Sequence, residues 1–139
     1  LPFTLTRGNA VGMLAFFRRF LSNHTESTSE DFNCRNIRIN QDASEDPALV
    51  VRTDMWLAPY DLDVAQHLIM RVSPTENEGV FGVMILLERT SGTEEAWLRT
   101  NYAFMNLVRH QFLLWRNLDN ASRLKYIAEG AQLFQEAGQ

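Results

Sequence analysis

A chain of 139 residues, 45% of them hydrophobic, suits one domain that buries roughly two thirds of its unfolded surface without disulfides or metals. Thirteen basic against 17 acidic residues, net −4, give no electrostatic footprint for nucleic acid or an anionic membrane. A single cysteine, Cys34, excludes an internal disulfide framework, favours a reducing, cytoplasmic-side setting, and reads as an inert, half-buried side chain.

The opening LPFTLTRGNA has neither the basic start nor the long apolar core of a secretory signal and does not begin with Met. It reads as part of a longer parent protein, membrane-anchored or not. The apolar runs AVGMLAFF at 10–17 and GVFGVMILL at 79–87 are far shorter than the roughly 20 residues a bilayer span needs, so no span is expected within the chain.

Val11, Leu14, Phe17 and Leu21 recur at helical spacing opposite Arg18, Arg19 and Ser22, predicting a first helix with Asn9 as its N-cap. The polar stretch 22–33 reads as a solvated connection. FNCRNIRIN at 32–40 predicts a strand with broken alternation: Phe32 and Cys34 share one parity, Ile37 and Ile39 the other. A bulge or an edge position explains such a break. ALVVRTDMWLA at 48–58 alternates cleanly, PYDLD turns the chain, and VAQHLIMRVS at 64–73 is a third strand. The polar cluster 73–79 has the composition of a hairpin connection to GVFGVMILLERT. Ser91 and Glu94 have capping-box spacing and open a long helix that runs to about Leu118. DNAS then breaks the chain before a shorter terminal helix over 121–137.

This order predicts an α+β domain: a four-stranded antiparallel meander covered on one face by an N-terminal helix and a long C-terminal helix, with a short terminal helix. In element order alone it is similar to cystatin-like and NTF2-like curved sheets, which carries no function. Leu49, Val51, Met55, Leu57, Leu68, Met70, Phe81, Val83 and Ile85 are expected to face the helices. The opposite face then carries Val50, Arg52, Asp54, Trp56, His67, Ile69, Arg71, Met84, Leu86 and Glu88, too apolar for a plain solvated face and rich in the Trp and Arg that anchor protein interfaces. Partial cover by the terminal helix or by the 22–33 loop is the bland alternative.

The long helix presents one seam of Trp97, Asn101, Phe104, Val108, Gln111, Trp115 and Leu118 to the sheet. Its second side holds Leu98, Tyr102, Met105 and Phe112 beside Arg99, Arg109 and Arg116. Either the other helices cover that side or a partner does.

Motifs for chemistry are missing. His24, His67 and His110 fall in three elements without metal-ligand spacing, and no nucleophile elbow or phosphate-binding loop occurs. Asp61 and Asp63 read as turn carboxylates, and the sequons at 23–25 and 120–122 are near the chance expectation. No catalytic residue, cofactor or metal is therefore expected. The residues favour a non-enzymatic interaction or regulatory domain acting through a protein partner or a second copy. Its candidate surface comprises Arg52, Asp54, Trp56, His67, Ile69, Arg71, Met84, Leu86, Tyr102, Met105, Arg109 and Phe112. Two alternatives stay open: a small-ligand carrier with a pocket between sheet and helices, and an enzyme whose site is assembled from Arg52, Asp54, His67 and Glu88.

Overall fold

The computed structural model describes residues 6–24, 32–42, 48–57 and 61–137. The chain runs α1 (Arg7–Ser22), β1 (Asn33–Asp42), β2 (Ala48–Leu57), β3 (Asp61–Pro74), β4 (Phe81–Ser91), α2 (Glu94–Arg116) and α3 (Asn120–Ala137). The sheet order is β1-β2-β3-β4 with every neighbour antiparallel, the expected meander. At the β3–β4 turn the Thr75 N–H and hydroxyl both donate to the Val80 carbonyl, at 3.0 and 2.9 Å, and Gly79 takes the positive φ that the reversal needs.

The alternation of β2, β3 and β4 translates directly into two faces. Leu49, Val51, Met55, Leu68, Met70, Val72 and Phe81 are buried on one side. That side also takes Gln66, whose amide accepts from the Trp97 indole at 2.8 Å and donates to the Met55 sulfur at 3.3 Å. The broken alternation of β1 has the expected cause. The strand lies at the sheet edge, and its pairing slips between Arg35 and Arg38, where Asn36 sits at φ 57°. One extra residue moves Ile37 and Ile39 to the side that already holds Phe32 and Cys34.

All three helices lie on that side. α1 packs over β1 and β2, α2 over β2 and β3, and α3 against α1 and β1. Phe104 meets Phe32 with ring centroids 5.3 Å apart, and Trp115 meets Phe16 at 5.8 Å, so the predicted seam of α2 faces the core. Gly12 and Gly130 let α1 and α3 approach backbone to backbone: a Cβ at Gly130 would stand 2.1 Å from the Val11 carbonyl oxygen. No helix among the described residues is long and apolar enough to cross a membrane.

Three local expectations are corrected. The α1 cap is Thr6, whose hydroxyl accepts from the Asn9 N–H at 3.2 Å; Asn9 itself belongs to the first turn. Ser91 ends β4 instead of capping α2. Gly92 turns the chain at φ 89°, and Thr93 then caps by accepting from the Ala96 N–H at 3.2 Å. Asp61 and Asp63 lie within β3, while residues 58–60 of the expected turn fall outside the described set. Most of the predicted 22–33 loop falls outside it as well. Its described start, His24, stacks on Phe32 at 4.0 Å and accepts the Cys34 N–H at 2.8 Å.

Candidate interaction surface

The sheet face turned away from the helices is built in transverse rows fixed by the strand register. One row crosses the whole sheet as Arg35, Asp54, His67 and Glu88, and Arg38 opens the next row, opposite Arg52. Asp54 accepts from the Asn36 amide at 3.0 Å and stands 3.7 Å from the Arg38 guanidinium and 3.4 Å from His67 Nε2. His67 Nδ1 lies 3.8 Å from the Glu88 carboxylate. The β1 bulge between Arg35 and Arg38 brings both Asn36 and Arg38, from outside that row, within reach of the single Asp54. Each of these pairs is open to water, so each contributes at most about 1 kcal/mol to stability; their effect is on the shape and charge of the surface.

Beside the charged row lie Arg52, Ile69 and Leu86, then Val50, Arg71 and Met84. Together with Glu88 these residues line a shallow depression of about 190 Å³. Met84 is 54% exposed and Leu86 43%, values far above what a hydrophobic side chain has in a core. At the other end Arg35 stacks its guanidinium over Trp56, 5.3 Å from the ring centre. Eight of the sequence-predicted surface residues, Arg52, Asp54, Trp56, His67, Ile69, Arg71, Met84 and Leu86, thus share one continuous face. Arg35, Asn36 and Arg38 join them. The sequence pattern hid those three because β1 does not alternate.

The four predicted residues of α2 do not join this face, since α2 covers the opposite side of the sheet. Tyr102 is 76% exposed and Arg109 is exposed, while Met105 is half-buried against the core. Phe112 is a correction: it is buried and stacks on Phe17 of α1 at 6.1 Å, because α1 runs along that flank of α2. The terminal helix does not shield the open sheet face either, since it packs on α1 and β1 in the helical layer.

His67 directs each ring nitrogen at a different carboxylate, so neither points at an incoming substrate as a general base must. Its row holds no Ser, Thr or Cys to activate. The carboxylates also lie on opposite sides of the imidazole, which cannot converge on one ion, and among the described residues no group of three or more His, Cys, Asp or Glu could hold a metal. Cys34 is buried in the core, where burial pushes its thiol up to about 12 against a smaller opposing hydrogen bond with Thr53. That is the reverse of a reactive thiolate.

A second depression, about 390 Å³, opens on the helical layer between Arg19 of α1 and Ser122, Lys125, Tyr126 and Glu129 of α3. Arg19 closes on it internally, 3.4 Å from Glu129 and 5.4 Å from the Tyr126 ring centre. Sequence spacing gives no hint of this groove, which depends on the crossing of α1 and α3 at their glycines. Among known proteins, the chain matches no family model, no curated protein and no solved structure.

Proposed function

We propose that the domain is a non-enzymatic interaction module whose open sheet face docks an acidic protein segment bearing apolar side chains. The observation that carries this reading is the local charge. Among the described side chains, the face gathers four guanidinium groups, Arg35, Arg38, Arg52 and Arg71, against two carboxylates, Asp54 and Glu88, in a chain whose net charge is −4. Between those charges stand Trp56, Ile69, Met84 and Leu86. Aromatic, Met and Arg side chains are the types enriched where partners bind. The basic rim supplies attraction and orientation, and the Ile69–Met84–Leu86 depression takes the partner's apolar side chains.

The test uses a synthetic peptide alternating Glu or Asp with Leu or Phe, titrated against the isotope-labelled domain, with a Lys-for-Glu peptide as control. The expected result is amide shifts confined to residues of the open face. They should weaken at about 1 M salt, where the screening length falls to about 3 Å, and disappear in the R52E/R71E double variant. Shifts centred on Tyr102 and Arg109 of α2, or none with the acidic peptide, refute the proposal.

A further inference from the structure

The two edges of the sheet are built differently. β1 carries the devices that discourage pairing with another strand: a bulge at Asn36, charged Arg35 and Arg38, and a Cys34 N–H already donated to His24. The first seven residues of β4 carry none of them; its charges and its irregularity come later, at Glu88, Arg89 and Thr90. From Phe81 to Leu87 it has no charge, no proline and no bulge. Its partner is β3 alone, and no strand among the described residues pairs with its outer edge. Its side chains are under-covered on both faces: Val83, Ile85 and Leu87 toward the helices are only half-buried, while Met84 and Leu86 on the open face are exposed.

We infer that β4 pairs with β4 of a second copy of this chain, joining two sheets into one of eight strands. An unpaired strand edge is recognised by another strand, and the run FGVMILL is its own best match. In a two-fold antiparallel pairing centred on Met84, the seven positions oppose one another as Phe81 with Leu87, Gly82 with Leu86, Val83 with Ile85, and Met84 with itself. Every pair is apolar, and every pair keeps both residues on the same face, so both helical layers stay on one side. Glu88 and Arg89 fall opposite Val80 and Gly79, so no like charges meet. The paired strip, nine residues at about 3.3 Å each and roughly 10 Å deep, covers about 300 Å² per copy, well under the ~800 Å² per partner of a standard interface. The dimer is therefore transient, with a dissociation constant in the micromolar to millimolar range. Self-pairing stands apart from docking on the open face, because its test contains no peptide.

Sedimentation equilibrium of the wild-type chain up to about 1 mM should show a monomer–dimer equilibrium. Met84 is exposed, so charged replacements leave the fold intact. M84K and M84E should each weaken the dimer about tenfold or more, since each places like charges opposite one another at the axis. An equimolar mixture of M84K and M84E should restore it as a heterodimer. Hydrogen exchange should slow at β4 amides as concentration rises. A strictly monomeric wild type, a dimer indifferent to M84K, or protection that rises elsewhere while β4 stays unchanged overturns the inference.

Discussion

Gly130→Ala puts the closest contact of the helical layer under test. Helix propensity alone favours Ala over Gly in a helix interior by about 1 kcal/mol. The structure opposes that gain: a Cβ at Gly130 meets the Val11 carbonyl oxygen at 2.1 Å and its carbon at 2.5 Å, and both are backbone atoms that cannot rotate away. An ordinary carbon–oxygen contact is about 3.3 Å, so α3 must retreat from α1 by roughly 1 Å. A gap of that size forfeits a quarter to a half of the dispersion energy of each contact it opens, here those of Phe16 with Tyr126 and of Ile127 over Gly12. Overpacking of this kind costs about 1–3 kcal/mol, and the backbone clash argues for the upper end. Net of propensity, a loss of about 1–2 kcal/mol is expected, which lowers the urea midpoint by about 1 M at a typical slope. At Gly12 the nearest atoms are the tips of Ile127 and Trp115 at 2.8 and 2.9 Å, with the Ile127 backbone nitrogen at 3.1 Å, so Gly12→Ala should cost less. Equilibrium urea unfolding of both variants checks the order. A Gly130→Ala protein more stable than wild type would refute the close crossing of α1 and α3.

The two flanks of α2 should respond in opposite ways. Phe112→Ala is expected to cost about 3–5 kcal/mol as a buried aromatic truncation, and Tyr102→Ala to change stability by no more than about 0.5 kcal/mol, both read by denaturant unfolding. Neither amide atom of buried Asn101 has a hydrogen-bond partner among the described residues, so Asn101→Leu, which keeps the branched four-atom outline of the side chain, should stabilise by about 1–3 kcal/mol; a loss of stability would show that the amide is satisfied in solution or that the site is too tight for the two methyls. Cys34 predicts an alkaline effect. Its thiol titrates near 9.0 when unfolded and at about 12 when folded, so the unfolded chain loses the proton first. The stability this contributes is complete below pH 9 and is lost as pH rises, at up to about 1.4 kcal/mol per unit. The Cys34→Ala variant should lack that part of the decline between pH 9 and 11, and equal slopes in the two proteins would contradict it.

What could be read from the residues, and what could not, follows from where each piece of information is stored. Face assignment in β2, β3 and β4 needs only the period of two, and it holds because the irregularities of those strands sit at one end of the sheet, after Trp56 and before Gln66, outside the alternating stretch. The break in β1 was itself the signal of its bulge. The helix caps moved by two or three residues because Thr6 and Asn9, or Ser91 and Thr93, are chemically equivalent candidates. The choice between Ser91 and Thr93 lies in the backbone of Gly92. Phe112 and Tyr102 look alike on the helix projection, and only the position of α1 decides which is covered. Gly12 and Gly130 read as weaknesses in two helices and turn out to be the point where those helices meet. The candidate surface follows the same logic. Its apolar members were visible strand by strand, but its charge was not: Arg35, Arg38, Arg52 and Arg71 are scattered through 37 residues of an acidic chain and become a local excess only after three strands have settled into register. A one-residue slip of β2 against β3 would scatter them again and would separate Asp54 from His67. The basic character of the face is thus a property of the pairing, and any variant that alters the register should weaken an acidic ligand even when every arginine is retained.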